Sequence, residues 1–403
     1  GRFQKDMKER LGILPAGTVQ GLTGYPRIWI HAVSLGEVKV ASSIIPVLRR
    51  IMPGCSIILS TFTEHGRNLA KETFGESLPV IYAPIDFVGS VRKALGAVRP
   101  HAMVFLETEI WPAWVFEARR RGVKTALING RISQRSIGKY ITFRPFFREV
   151  LKAFDVFSMI LEGDAARIKT MGADPRKIQI QGNAKYDLPE NMTDPAVEKE
   201  MRRLLDLKSS QKVFLAGSTR RGEEKLILDA YGRILEAFPD TILFMTPRHM
   251  HRIPPIEAQL QKRGLRYQLR TDLGKGEGKR TAQVVVFNTF GELFKTYSVG
   301  TIVFCGGSLV PLGGQNPMEP AFWGKAVFYG PSMENFLDAK ALLEDAGAAV
   351  EVPDPATLAQ KAIWLLGHPE ELKTRGLRAR KAVLKNQGAA ERHARVIARL
   401  LRA

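Results

Sequence analysis

His31-Ala32-Val33-Ser34-Leu35-Gly36-Glu37 sets a turn of small residues and one carboxylate between two segments of different periodicity. Before it, Arg27–Val33 is an apolar run with the length of a buried strand. After it, Val38–Arg50 carries Val38, Ile45, Val47 and Leu48 at helical spacing, enough for a core-facing stripe. A strand, turn and helix in that order put Glu37 at the carboxyl edge of a sheet, where open α/β folds bind ligands. A carboxylate there suits a general base, because its neighbours tune its pKa while it still faces a cleft. It equally suits the first turn of a helix, where the macrodipole favours an acid.

The same rhythm runs along the chain. Strand-like runs at Ser56–Thr61, Val80–Ala83, Ala102–Leu106, Thr125–Asn129 and Val156–Leu161 alternate with helical patterns. The pattern restarts at Val213–Ala216 and continues through Thr241–Met245, Val284–Phe287, Thr301–Cys305 and Val327–Tyr329. Such alternation predicts parallel sheets built from βαβ units. Pro189–Leu207 is polar and reads as a linker with one short helix, and Ala389–Leu401 as a basic final helix. The expected architecture is α/β: two Rossmann-like domains facing each other across a cleft, over 1–190 and 191–385, followed by a C-terminal helix over 386–403.

A chain of 403 residues exceeds what one core usually supports, in keeping with two domains. Its 45% hydrophobic content is that of a globular protein, and no apolar run reaches the length of a membrane span. The start at Gly1-Arg2-Phe3 suggests a trimmed N-terminus from which an anchor could have been removed. Cys55 and Cys305 lie far apart on apolar segments, which fits a reducing compartment and neither a disulfide framework nor a thiolate metal site. The formal net charge of +20 calls for an acidic partner: nucleic acid, an anionic membrane or a phosphorylated substrate. Its clearest focus is Arg131, Arg135, Lys139, Arg144 and Arg148, interleaved with Tyr140, Phe143, Phe146 and Phe147. That pattern suits a lipid-facing surface, a platform for single-stranded nucleic acid, or a solvated basic face over a small aromatic core.

Several strand-end loops carry chemistry. Glu107-Thr108-Glu109-Ile110-Trp111-Pro112 follows a strand, with Pro112 placed to start a helix. If extended, its two carboxylates point the same way, to bind a cation or set an acid beside Glu37; otherwise they cap the helix. Gly217-Ser218-Thr219-Arg220-Arg221-Gly222 has the glycine spacing of a phosphate loop, but Glu223 stands where the phosphate lysine belongs, which argues against a Walker-type NTPase. Arg248 in Thr246-Pro247-Arg248-His249 offers a bidentate grip on phosphate. His249 and His251 lack the partners of a metal site. Phe290-Gly291-Glu292 opens a short helix, Gly306-Gly307-Ser308 closes a strand, and Gly313-Gly314-Gln315-Asn316-Pro317-Met318-Glu319 brings glycines for close backbone approach. Loops of this kind converging on one edge point to a nucleotide.

Together these motifs resemble the bacterial 3-deoxy-D-manno-octulosonic acid (Kdo) transferases of lipid A, two-domain glycosyltransferases of the GT-B type. The family's Ser-x-Gly-Glu motif corresponds to Ser34-Leu35-Gly36-Glu37, its Glu-[Ser/Thr]-Glu-x-Trp-Pro motif to Glu107–Pro112, and its Gly-Asn-x-Lys segment to Gly182-Asn183-Ala184-Lys185. The resemblance implies that Glu37 deprotonates the acceptor hydroxyl while Glu107 and Lys185 support the transition state. Ser34, Gly36, Glu109, Arg131 and Arg135 then lie on the acceptor side. It implies that Pro247, Arg248, Phe290, Gly291, Glu292, Asn316, Pro317, Met318 and Glu319 hold the nucleotide of CMP-Kdo, and the glycine loops add Ser218, Thr219, Gly306, Gly307 and Ser308 to that donor site. Asn288 and Phe290 depart from the Asp and Met common in the family. The function so implied is inverting, metal-independent Kdo transfer to a lipid A precursor at the cytoplasmic face of the inner membrane, with no cofactor and no nucleic-acid partner. A nucleotide-sugar epimerase of the same form and a basic nucleic-acid-binding protein are the alternatives.

Overall fold

The computed structural model describes residues 6–132, 134–187, 193–273 and 279–402, with the side chains of residues 16, 134, 135 and 139 outside that description. The chain divides into two compact units, Gly1–Asp187 with Asn386–Ala403, and Leu188–Lys385.

The first unit holds a seven-stranded sheet of β1 (Arg27–His31), β2 (Ser56–Thr61), β3 (Val80–Tyr82), β4 (Ala102–Leu106), β5 (Lys124–Gly130), β6 (Val156–Met159) and β7 (Ile178–Ile180), in the order β3-β2-β1-β4-β5-β6-β7. Every pairing is parallel. Alternate side chains therefore feed two cores. Trp29, Ile58, Met103, Phe105, Leu127 and Phe157 enter one, and Ile28, Ile30, Leu59, Val104 and Ile128 the other.

The second unit repeats the plan with β8 (Val213–Thr219), β9 (Ile242–Pro247), β10 (Tyr267–Leu269), β11 (Val284–Val286), β12 (Ile302–Cys305), β13 (Val327–Tyr329) and β14 (Ala349–Glu351), ordered β10-β11-β9-β8-β12-β13-β14. Chain order reverses between β1 and β4 in one sheet and between β8 and β12 in the other. These are the switch points at which such sheets open crevices.

Some expectations change. β7, β10 and β14 were not foreseen: each is three residues long and largely half-exposed at a sheet edge, so none leaves a hydrophobic run. The expected linker includes an amphipathic helix, Pro195–Leu204, capped by Asp194, with Met201 and the following Leu205 buried in the second unit's core. The final helix, Ala389–Arg402, is part of the first unit instead of a separate segment. Its alanines pack against the helix Leu35–Ile51, and Asp187 accepts hydrogen bonds from the N–H groups of Ala389 (3.3 Å) and Ala390 (2.6 Å). His393 sits in that interface between Ser158 Oγ (2.8 Å) and the Gly182 carbonyl (2.9 Å), and burial lowers its pKa to about 4, so it is neutral.

Two glycines inside helices of the second unit should respond oppositely to alanine. At Gly232, in Glu223–Ala237, an added Cβ meets nothing within 4 Å, so Gly232→Ala should stabilise by about 0.5–1 kcal/mol through helix propensity. At Gly376, in Pro369–Asn386, the Cβ would lie 2.0 Å from the Gly324 carbonyl oxygen, so Gly376→Ala should destabilise by about 1–3 kcal/mol despite the same propensity gain. Denaturant midpoints shifting in the same direction would contradict this packing.

Candidate active site

The first crevice is built from the ends of β1 and β4. The helix after β1 starts at Leu35, earlier than the apolar pattern indicates, which puts Glu37 at its third position. Glu37 Oε2 accepts from the Ser34 N–H (2.8 Å) and from the Ser34 hydroxyl, closing a capping box. The first-turn reading of Glu37 is therefore realised, and the same geometry aims its carboxylate into the crevice with no hydrogen bond to Oε1 among the described residues.

Glu107 follows β4 directly and adopts φ 57°, a left-handed conformation, so Glu107 and Glu109 do not share an extended segment and neither caps the helix that starts at Pro112. Instead they diverge. Glu107 Oε1 meets Lys185 Nζ at 3.4 Å, and Glu109 Oε2 accepts from the indole N–H of Trp111 at 2.6 Å. Lys185 rides on a single 3₁₀ turn, Ala184–Tyr186, and its Nζ lies 3.5 Å from where a Cβ on Gly36 would stand, so the Glu37 turn and the Glu107–Lys185 pair occupy one place.

Burial pushes the Glu107 carboxyl up; Lys185 pulls it back and Glu37 adds to the rise. Glu109, with one indole donor and no paired cation among the described residues, is pushed by burial to about 7. The floor is aromatic. His31 stacks on Trp114 (4.9 Å) with Trp111 edge-on (4.7 Å), and full burial lowers its pKa to about 3, so it is a neutral packing group. Nothing in the reading of the motif singled out His31 or Trp114.

Of the residues placed on the acceptor side, Ser34, Gly36 and Glu109 line this crevice. Arg131 joins them: its backbone N–H donates to the Glu107 carbonyl (3.4 Å) and its charge acts on the Glu107 carboxyl. It thus belongs to the crevice. The side chains of Arg135 and Lys139 lie outside the described residues. Beyond them, the helices Gln134–Thr142 and Arg144–Lys152, with Phe143 between them, expose Ile141, Phe143 and Phe146 beside Arg144 and Arg148.

In the second unit the β8/β12 switch point holds a buried carboxylate of the protein itself. Glu223 is fully buried, and its carboxylate accepts from the N–H groups of Gly307 (2.6 Å), Ser308 (2.9 Å), Leu309 (2.9 Å) and Arg220 (3.1 Å). Gly306-Gly307-Ser308 is expected at the donor site; two of its three amides are spent on this protein carboxylate.

The open space lies one strand over. A cavity of about 90 Å³ is lined by Ser218, Thr246, Pro247, Arg248, Phe287 and Phe290 among others, which unites five of the expected donor residues: Ser218, Pro247, Arg248, Phe290 and Gly291. Phe290 is 76% exposed beside it, and the Arg248 guanidinium pairs with no carboxylate among the described residues. Thr219 is buried behind Ser218 and lends its carbonyl to the Arg248 N–H (3.0 Å). Glu292 is tied to Arg270 (2.8 Å) and accepts from the Thr289 hydroxyl; Asn288 bonds Thr271 at both ends of its amide, 2.9 and 3.1 Å. Both side chains hold the loop that carries Phe290. Asn316 and Glu319 bond each other (3.3 Å), with Pro317 and Met318 entering a short helix, Met318–Phe322. Among the described residues, no three His, Cys, Asp or Glu side chains converge to hold a metal ion, and no helix is long and apolar enough to cross a membrane.

Residues 5–188 match the family model "3-Deoxy-D-manno-octulosonic-acid transferase (kdotransferase)". The 3-deoxy-D-manno-octulosonic acid transferase of Bordetella pertussis is 31% identical over 373 residues, covering 91% of this chain and 85% of that protein. The chain belongs to the 3-deoxy-D-manno-octulosonic acid transferase family. A bifunctional glycosyltransferase/methyltransferase of Fusobacterium nucleatum is 33% identical over 319 residues, which cover 78% of this chain and 49% of that protein, so the chain spans about half its length. A crystal structure of a glycosyltransferase from Rickettsia africae ESF-5 superposes with a TM-score of 0.61 at 13% identity, covering 94% of this chain and 98% of that one, and shows the GT-B-like fold of this Kdo transferase family member.

Glu109 carries a pH signature. Its folded pKa of about 7 lies above the ordinary 4.5, so the folded chain keeps a proton that the unfolded chain releases. The resulting stability is fully present below about pH 4.5 and is lost as pH rises through 7. Glu109→Gln, which cannot ionise, should gain about 3 kcal/mol on the parent between pH 4.5 and 8, read as diverging denaturant midpoints. Parallel pH curves would contradict a buried, protonated Glu109.

Proposed function

We propose that this chain is an inverting, metal-independent glycosyltransferase that moves Kdo from CMP-Kdo to a lipid A precursor. The observation that carries the reading is the placement of Glu37 beside the Glu107–Lys185 pair at the β1/β4 switch point, in a chain of this family. The acceptor hydroxyl oxygen forms a bond to the anomeric carbon of Kdo as the bond to the CMP phosphate oxygen breaks. The hydroxyl proton passes to Glu37, and CMP departs with the electron pair. The single phosphate of the donor is met by Arg248 at the cavity of the second unit, and the charge that develops during transfer by Lys185. One phosphate needs no divalent ion to neutralise it, and the inverting course needs one base on the acceptor side.

The acceptor, an acylated and phosphorylated glucosamine disaccharide, accounts for the net charge of +20 and for the exposed Phe143 and Phe146 next to Arg144 and Arg148. A basic and aromatic surface of this kind supports docking on an anionic leaflet while acyl chains stay in the bilayer, in keeping with work at the cytoplasmic face of the inner membrane.

In buffer containing EDTA, Glu37→Gln should bind CMP in calorimetry as the parent does and turn over at least about a hundredfold more slowly. Near-parental turnover would remove Glu37 as the base, and a parent inactive in EDTA but restored by magnesium would remove metal independence. Replacing Arg144 and Arg148 with Ser should reduce cosedimentation with anionic vesicles, by roughly 1 kcal/mol per residue at low salt and little at high salt. Unchanged vesicle binding would assign this surface elsewhere.

A further inference from the structure

Asn129, the penultimate residue of β5, sits at a register shift, where Ile128 pairs with Ser158 and Gly130 with Met159, leaving Asn129 between. It is buried and held at φ 53°, left-handed backbone that asparagine tolerates only at a cost. Bulges of this kind re-aim side chains beside functional sites.

Both ends of its amide are spent on one target. Oδ1 accepts from the Ala184 N–H (2.8 Å), and Nδ2 donates to Asn183 Oδ1 (3.3 Å). Asn183 Oδ1 also accepts from the Lys185 N–H (3.0 Å). A third asparagine completes the ladder from the far end of the chain: Asn386 Oδ1 accepts from the Asn183 N–H and its Nδ2 donates to the Asn183 carbonyl, both at 3.2 Å. The turn of three residues that carries Lys185 is held from outside, by these side chains, by Gln387 Nε2 donating to the Tyr186 carbonyl (2.7 Å) and by the burial of Ala184.

We propose that Asn129 is a positioning residue for Lys185: through Asn183, and braced by Asn386, it sets the turn that holds Lys185 Nζ against Glu107. This rests on the Kdo-transfer reading for its catalytic consequence but on the hydrogen bonds alone for its structural one. Asparagine suits the post because it tolerates left-handed backbone and offers a donor and an acceptor on one short stem. Alanine would offer neither, aspartate would lose the donor, and glycine would accept the backbone but drop the ladder.

Asn129→Gly separates these roles, because it relieves the φ while deleting both side-chain bonds. Two readouts are taken: steady-state transfer from CMP-Kdo, and the rate at which an amine-reactive ester labels Lys185, followed by mass spectrometry with the other lysines as internal controls. Lys185 is 28% exposed and accessible to the reagent. Asn129→Gly should lower kcat by about ten- to a hundredfold with KM for CMP-Kdo unchanged, as expected for a misplaced group. It should also raise Lys185 labelling severalfold with the other lysines unaffected. Parental kcat and parental Lys185 labelling in a folded Asn129→Gly would overturn the proposal, since a purely backbone role is satisfied by glycine. Should that variant fail to fold, Asn386→Ala removes the outer rung from a half-exposed position, with the same two expected changes and the same overturning result. A parent protein that transfers no Kdo would overturn the proposed reaction, and the labelling comparison would still decide the positioning.

Discussion

Parallel pairing is the constraint on which the remainder depends. A strand that must run beside its predecessor in the same direction has to return through a crossover, so every strand-to-helix loop emerges at one edge of its sheet. With seven parallel strands in each unit, loops far apart in sequence become neighbours. Ser34–Glu37 and Glu107–Glu109 meet because β1 and β4 pair, and Gly217–Gly222 meets Gly306–Ser308 because β8 and β12 pair. The chemistry that distinguishes the units is what the chain puts into those two equivalent crevices.

The contrast lies in hydrogen-bond accounting. In the second unit four backbone donors surround Glu223 and offset part of the cost of burying its carboxylate, although burial still pushes its pKa up. In the first unit three carboxylates share four donors among the described residues, the number that Glu223 has to itself. Glu37 has its cap, Glu107 has Lys185, and Glu109 has one indole N–H. Under-compensated burial raises Glu107 and Glu109 together, and acid–base chemistry needs groups poised this way. The first crevice is thereby suited to moving a proton, and the cavity beside Arg248 to holding an anion.

Much of this was legible in the sequence. Ser56–Thr61, Ala102–Leu106 and Val327–Tyr329 form strands with the expected bounds because buried parallel strands are continuous apolar runs. Pro112 opens its helix because its missing N–H costs nothing there. The short strands β7, β10 and β14 were not legible, since an edge strand of three half-exposed residues has no pattern to read. The one short helix expected in Pro189–Leu207 forms as Pro195–Leu204, but its packing into the second unit's core was hidden among charges, with Met201 as its main apolar marker. Glu223 was noticed as a departure from a phosphate loop, yet its role as the filler of that loop depends on residues more than 80 positions away. The ladder of Asn129, Asn183 and Asn386 spans more than 250 residues, and only the folded chain brings it together.

The central claim is that one crevice, built by β1 and β4, activates an acceptor for Kdo transfer. It is tested most directly by incubating the purified protein with CMP-Kdo and a tetra-acylated lipid A precursor, with products read by mass spectrometry. The account predicts acceptor heavier by one or more Kdo residues, with CMP released in step. Unmodified acceptor, with CMP-Kdo either intact or hydrolysed at a rate indifferent to acceptor, would contradict it.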